Sequence, residues 1–251
     1  MCALSISFDG AWRLMAGPQD LSAPQQAALM PDLIFSGPQD HPTTSWNDAD
    51  IHAMIVAFYP DAIATLLGVE IGQLRDKSVP LKALPQSVLR DVFEQLKGAK
   101  DAVTAFADLQ TRIAPLWHSA RPDQHPFGRM ITDWSRALMV NAAFSQTGRS
   151  VRQMQRRVKT LAGQPLKRLQ RFSKAEQAFA LALTERDADM AGIATDAGYS
   201  DQSHMGRHVR AQTGFTPAEL MRRFESDEAF WSYRLMGERY KLLKVLRSSN
   251  F

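Results

Sequence analysis

Proline is unevenly distributed along this chain, and that distribution limits what each half can form. Of the 13 prolines ten lie before residue 126, and only Pro126, Pro165 and Pro217 follow. Proline interrupts helices, so long helices are disfavoured in the early part of the chain. There, short apolar runs at 11–15, 33–35 and 51–59 alternate with turn-forming Gly-Pro and His-Pro pairs. This pattern is typical of short strands, whereas the later half predicts helices with short breaks.

The segment between the two halves predicts an amphipathic helical connector. From Ser87 to about Trp117 apolar residues recur every three or four positions, and a polar, turn-prone stretch at 119–126 ends the pattern. We therefore expect an α+β chain in three parts. These are a β-rich sensor or dimerisation domain at 1–86, a helical connector at 87–125 and an all-α domain at 126–251.

Charge changes sign near the same boundary. Residues 1–125 hold 9 Lys or Arg and 14 Asp or Glu, a net charge of −5, while residues 126–251 hold 21 and 12, a net charge of +9. An acidic half joined to a basic half favours a polyanion such as nucleic acid as partner of the basic half. A solvated basic surface is the alternative that charge alone leaves open.

Composition excludes several classes of protein. The chain has 251 residues, of which 45% are hydrophobic and 22% charged, values typical of globular domains. No apolar run approaches the ~18 residues of a membrane helix, and the first residues lack the pattern of a secretion signal. Cys2 is the only cysteine, so we expect a cytoplasmic protein without an internal disulfide or a cysteine-based metal site. We expect no membrane partner and no cofactor.

The basic half contains a duplicated segment. After Gly148 and again after Gly198 a polar turn leads into a helical pattern, and a glycine followed by a proline ends each copy. In the first copy Met154, Val158 and Leu161 form an apolar stripe that can pack on a core. The opposite stripe consists of four hydrogen-bond donors: Arg152, Gln155, Arg156 and Lys159. Arg and Gln pair with guanine and adenine in the major groove, so this face predicts base reading, with Lys159 on a phosphate or in solvent.

The second copy predicts a complete helix-turn-helix. A short helical pattern from Met190 to Ala197 ends at Gly198, and Ser200 or Asp201 can cap the helix that follows. Its outward-facing positions, found by matching Met205 and Val209 to the first copy, are Gln202, Ser203, Gly206, Arg207 and Arg210. Arg210 is expected to contact phosphate or solvent rather than bases.

A long helical pattern, Leu166 to Leu183, joins the two copies. Its 18 residues span about 27 Å at ~1.5 Å per residue. With the flanking turns, this length places the two reading helices roughly one DNA turn apart, ~34 Å, so that one chain could read successive major-groove faces. Residues 149–174 also hold nine Lys or Arg and no acidic residue, a density suited to phosphate contact.

Residues from about Ile131 to Arg223 resemble the DNA-binding domain of the AraC family of bacterial transcription regulators. The most specific part is Ile193-Ala194-x-x-Ala197-Gly198-Tyr199-Ser200-Asp201-Gln202-Ser203-His204-Met205-x-Arg207-x-Val209-Arg210-x-x-Thr213-Gly214-Phe215-Thr216-Pro217. The first unit is similar in Ser150-x-Arg152-Gln153-Met154-Gln155-Arg156-Arg157, although Phe144 replaces a small residue and 158–165 is one residue short. The resemblance implies two helix-turn-helix units joined by a long helix, and contacts to bases or phosphates by Arg152, Gln155, Arg156, Gln202, Ser203, His204, Gly206 and Arg207. Helix packing is the alternative role for His204.

The front half, Trp12 to about Leu84, loosely resembles an N-terminal domain found on some AraC-type regulators. The shared motifs are Phe58-Tyr59-Pro60-x-Ala62, Leu66-Leu67-Gly68-Val69 and Val79-Pro80-Leu81. We therefore expect a sequence-specific regulator that binds double-stranded DNA and is not an enzyme. The resemblance also allows RNA polymerase, a small-molecule effector and a second copy of the chain as partners. Two alternatives remain: a DNA-targeted enzyme, which the lone Cys2 argues against, and a front domain that only mediates association.

Overall fold

The computed structural model of the protein describes residues 1–16, 26–120, 151–184, 189–227, 230, 233 and 234. Contacts within the chain define two compact units, residues 1–168 and 169–251. The predicted domain boundary at 125/126 lies outside the described residues, and the division by contacts falls 43 residues later. The difference arises because the helix at 151–162, predicted to belong to the DNA-binding domain, packs on elements of the first unit.

Antiparallel strands form the front of the first unit, as the sequence predicts. A four-stranded sheet has the order β5-β1-β3-β6, and β2 pairs with β4 in a second sheet. The strands are β1 (Cys2–Asp9), β2 (Trp12–Ala16), β3 (Leu33–Ser36), β4 (Thr43–Asn47), β5 (His52–Phe58) and β6 (Ser78–Pro80). Strand β1 was not predicted, although apolar side chains alternate along it at Cys2, Leu4, Ile6 and Phe8.

Three helices lie in the described residues before 121: α1 (Pro60–Leu67), α2 (Val88–Leu96) and α3 (Ala102–Ala120). Short 3₁₀ turns lie at Ile71–Leu74 and Leu81–Ala83. The predicted connector helix is thus two helices, with a break at residues 97–101. Most of its apolar stripe is buried, but Val88, Val103 and Phe106 are exposed. Phe93 packs edge-on against Phe58 of β5 at a ring-centroid distance of 6.4 Å. The connector therefore shares one core with the sheet.

The described helices of the basic half match the predicted periodicity. They are α4 (Val151–Ala162), α5 (Leu166–Thr184), α6 (Met190–Asp196), α7 (Gln202–Thr213) and α8 (Pro217–Ser226). Gly163, Gly198 and Gly214 all have positive φ where helices end, which explains why glycine marks each break. No helix among the described residues is long and apolar enough to cross a membrane.

Two loops of the first unit approach so closely that only glycine fits between them. A Cβ added to Gly37 would lie 1.9 Å from the backbone oxygen of Leu74. Gly72 lies in the neighbouring 3₁₀ turn, and a Cβ added there would meet no atom within 4 Å. The two glycines therefore form a matched pair for testing this contact.

We expect Gly37→Ala to lower the free energy of unfolding of the first unit by about 3 kcal/mol or more, because the backbone at Leu74 must move. Gly72→Ala should leave the free energy of unfolding unchanged or raise it by up to about 1 kcal/mol, because alanine lowers the conformational entropy of the unfolded chain. Urea denaturation followed by circular dichroism measures both. Equal stability of the two variants would contradict the close approach.

Candidate nucleic-acid interface

Helix α4 separates its apolar and polar faces as predicted. Val158 and Ala162 are fully buried, and the helix packs on α1 and on the turn at Ile71–Leu74. The predicted reading residues of this helix are all exposed: Arg152, Gln155, Arg156 and Lys159. The first helix of the predicted first helix-turn-helix unit lies outside the described residues. Within the described part, α4 thus presents its donors to solvent while its other side is fixed.

In the second unit α6, a tight turn and α7 form the predicted helix-turn-helix. Met205 and Val209 of α7 are buried at 1% and 6% exposure. They share a core cluster with Ile193 and Ala194 of α6 and with Leu220 of α8. Burial of this stripe fixes the rotation of α7 about its own axis. Consequently the side opposite the stripe faces outward.

A hydrogen-bond network at the start of α7 caps the helix. The Asp201 carboxylate accepts the backbone N–H of His204 at 2.7 Å, so Asp201 rather than Ser200 is the cap. The Ser200 hydroxyl lies 3.0 Å from the other Asp201 oxygen and 3.1 Å from Nδ1 of His204. The pKa of Asp201 is lowered, first by the His204 N–H and then by the Ser200 hydroxyl, and to a lesser extent by the positive charge of Arg207. Ser200 and His204 are therefore engaged in holding the helix start.

The turn before α7 is held from outside by α5. Lys174 donates from Nζ to the Gly198 carbonyl at 2.5 Å, and its Nζ lies 5.6 Å from the Tyr199 ring centroid. Gln177 donates to the Asp196 carbonyl at 3.1 Å. These contacts satisfy the carbonyl of the last residue of α6 and one carbonyl in the turn that follows. The sequence analysis counted Lys174 only as one of nine basic residues and did not predict this contact. The spacing of three residues between Lys174 and Gln177 indicates that both lie on one face of α5.

Three rings pack together beneath the exposed face of α7. Tyr199 lies 5.4 Å from His204 and 5.5 Å from His208 between ring centroids, and the two histidines lie 4.6 Å apart. Tyr199 is buried, which raises its pKa to about 12. His204, half-buried here, thus has the packing role that the sequence left as an alternative.

The predicted reading residues of α7 lie on its outward side. Gln202, Ser203, Arg207 and Arg210 are exposed, and a Cβ added to Gly206 would meet no atom within 4 Å. Gly206 therefore has open space outside it, where a partner's surface could approach the backbone. Helix α4 lies in the first unit and α7 in the second.

The buried side of α7 packs against α8 and Phe230. Thr216 caps α8 by accepting the N–H of Glu219, and Arg223 lies 4.7 Å above the Phe215 ring. Phe224 packs edge-on against Phe179 at 5.7 Å, and Phe230 is buried. Tyr233 also packs against Phe179 and Phe230, so the described aromatic side chains of this part join the core of the unit.

Protonation of His208 should destabilise this unit. The pKa of His208 is lowered, first by burial, then by the charges of His204, Arg171, Lys174 and Arg207, so the folded state favours the neutral ring. Stability should be constant above the ordinary pKa of 6.5 and fall as the pH drops below it, until the lowered pKa is passed.

Urea denaturation from about pH 8 to pH 5 measures this dependence. His208→Gln, which cannot titrate, should reduce the fall in stability below pH 6.5. His118→Gln, at an exposed position of α3, is the control and should behave as the parent chain. An unchanged pH dependence in the His208 variant would show that another group is responsible.

Comparison with solved structures finds ToxT from Vibrio cholerae. One crystal structure of ToxT is 11% identical, with a TM-score of 0.40 over 90% of each chain. An apo ToxT variant from the same organism is 9% identical, with a TM-score of 0.39 over 87% of each chain. Comparison with curated protein sequences gives no match.

A family model described as a helix-turn-helix domain matches residues 144–223. The match begins in the residues before α4 and ends within α8, so it includes both faces described above. Within it, α6, the glycine turn and the capped α7 have the order and contacts that such a domain requires. Residues 144–223 are therefore a helix-turn-helix domain.

Proposed function

We propose that the chain is a DNA-binding transcription regulator of the AraC type, that α4 and α7 are its two reading helices and that each enters the major groove of double-stranded DNA. The observation that carries the proposal is the outward face of α7, where Gln202, Ser203 and Arg207 are exposed on a helix whose other side is buried and whose start is capped. Side chains held this way reach base edges without further ordering of the helix. Arg207 is the base-reading residue with the most hydrogen-bond donors on this face.

Helix α4 supports the same role through its exposed Arg152, Gln155 and Arg156. The described basic residues around it supply phosphate contacts that are independent of base sequence. These are Arg157, Lys159, Lys167, Arg171 and Lys174 of α4 and α5, with Arg210 of α7 in the same role. Such contacts orient the protein on DNA, while the reading residues select the site. A regulator acting on chromosomal DNA in this way would work in the cytoplasm, with RNA polymerase as a further partner.

The N-terminal β-rich part supports a sensing role. A cleft of about 250 Å³ opens between the two sheets, with apolar and polar groups on its walls. Its lining includes Leu14, Met30, Gln39, His41, Asp76 and Ser78. This mixture suits a small molecule held by shape and by a few hydrogen bonds. We propose that occupancy of this domain, or its association with a second copy, changes how the reading helices are presented.

The lone cysteine argues against a DNA-targeted enzyme that uses a thiol nucleophile. Cys2 is 1% exposed on β1, and burial raises the pKa of its thiol to about 12. Such a thiol stays protonated and out of reach of a DNA substrate. Transcription regulation is thus the function that these residues support best.

Replacing a single reading arginine should weaken binding selectively. Arg207→Ala or Arg156→Ala should lower affinity for a site selected from random DNA by about 1–3 kcal/mol and relax the preference at one base pair. Lys82→Ala, an exposed lysine in the N-terminal part, is the control and should bind as the parent. Fluorescence anisotropy with single-base variants of the site measures both effects. A uniform loss on all sequences would reassign these arginines to phosphates, and no loss would remove them from the interface.

A sensing domain and an association scaffold predict different responses to metabolites. If the N-terminal part senses a ligand, one member of a metabolite panel should raise the thermal unfolding temperature of the full chain, because a ligand that binds only the folded state stabilises it. Sedimentation velocity with and without that compound then shows whether association follows binding. Concentration-dependent dimerisation with no stabilising compound would favour the scaffold.

A further inference from the structure

A buried glutamine ties the end of α4 to the N-terminal loops. Gln164, in the turn between α4 and α5, is 3% exposed. Its side-chain nitrogen donates to the backbone carbonyl of Gln39 at 3.1 Å and to the Asp40 carboxylate at 2.6 Å. Both partners are acceptors, so the amide nitrogen of Gln164 must face them. A buried amide that lost these partners would keep the full cost of its desolvation.

Asp40 is itself held in place from both sides. Its backbone N–H donates to the Asp76 carboxylate at 2.6 Å, and its own carboxylate lies 3.8 Å from the Arg75 guanidinium. From the other side, the Arg168 guanidinium at the start of α5 lies 3.6 Å from the same carboxylate. Asp40 is therefore the shared acceptor between the N-terminal loops and the α4–α5 turn.

Beside these polar contacts, the backbone at Gly163 packs closely against Ile71 and Pro38. Gly163 has a φ of +70°, and a Cβ added there would lie 2.9 Å from Cγ2 and 3.2 Å from the carbonyl oxygen of Ile71. The ring of Pro38 would be 3.3 Å away. The end of α4 thus contacts the loops at 37–40 and 71–76 both through hydrogen bonds and through close backbone packing.

This contact orients α4 without covering its reading face. The inward residues Val158 and Ala162 are buried, while Arg152, Gln155 and Arg156 remain exposed. A helix fixed on one side loses less rotational freedom when its other side binds DNA. The arrangement is thus that of a positioning contact, and not of one that blocks the DNA-binding face.

We propose that Gln164 and Asp40 are positioning residues for DNA reading. The Gln164 latch, defined as Gln39, Asp40, Gln164 and Arg168, lets the N-terminal part set the direction of the α4 reading face. This inference rests on the proposed function of α4. Gln39 and Asp76, which hold Gln164 and Asp40 respectively, also line the cleft described above, so the latch is contiguous with the place where an effector would bind.

Gln164→Glu is the variant that tests the latch. It keeps the size of the side chain but replaces the donating amide with a carboxylate, which faces the Gln39 carbonyl and the Asp40 carboxylate and cannot donate to them. Adding Asp40→Asn should partly restore the contact, because the new amide can donate to the new carboxylate. Gln170→Glu adds the same charge at an exposed position of α5 and is the matched control.

Hydrogen exchange of the full chain without DNA is the first measurement. In Gln164→Glu we expect amides at 158–164 to exchange about tenfold faster or more, in line with one lost buried donor contact. Amides of α7 should exchange as in the parent. The double variant should recover much of the protection, and the Gln170 control should equal the parent. Unchanged exchange at 158–164 would overturn the latch.

Selection of sites from random DNA, followed by anisotropy, is the second measurement. The base pairs whose preference relaxes in Arg156→Ala define the half-site read by α4. Gln164→Glu should weaken affinity and relax preference only in that half-site, and the double variant should restore it. Relaxation in both half-sites, no change, or tighter binding would each overturn the positioning role. A parent chain that selects no sequence would instead refute the proposed function, and the positioning role with it.

Discussion

Burial of Met205 and Val209 is the constraint on which the helix-turn-helix unit depends. Because both side chains enter the cluster formed with α6 and α8, α7 can present only its opposite side to a partner. The Asp201 cap then fixes where the helix begins, and Lys174 fixes the turn that leads into it. Apolar burial thus sets the rotation of the helix, and local hydrogen bonds set where it begins.

The N-terminal part holds α4 in place through a different set of contacts. Its sheet and the connector helices share one core, and the loops at 37–40 and 71–76 extend from that core toward the end of α4. Gln164 and Asp40 join the two through a buried amide and a shared carboxylate. The β-rich part and α4 are in this way connected by few side chains.

Several local features were predictable because their signals lie within a few residues of each other. The opposed stripes of α4 and α7, the glycine turn at Gly198 and the long helix α5 all follow from spacing and turn chemistry. The sequence left Ser200 and Asp201 equal as caps, and geometry selected Asp201 because its carboxylate reaches the His204 N–H. Strand β1 was missed despite its alternation at Leu4 and Ile6.

By itself, the sequence determined the β-then-α order, the duplicated helices and the chemistry of their outward faces, because composition and periodicity are local properties. Only the tertiary structure showed that α4 packs with the N-terminal unit and that Lys174 holds the turn before α7. Gln164 and Asp40 are 124 positions apart, and nothing in their neighbours along the chain marks either as a partner. Such contacts depend on how whole elements pack, so they exist only once the chain has folded.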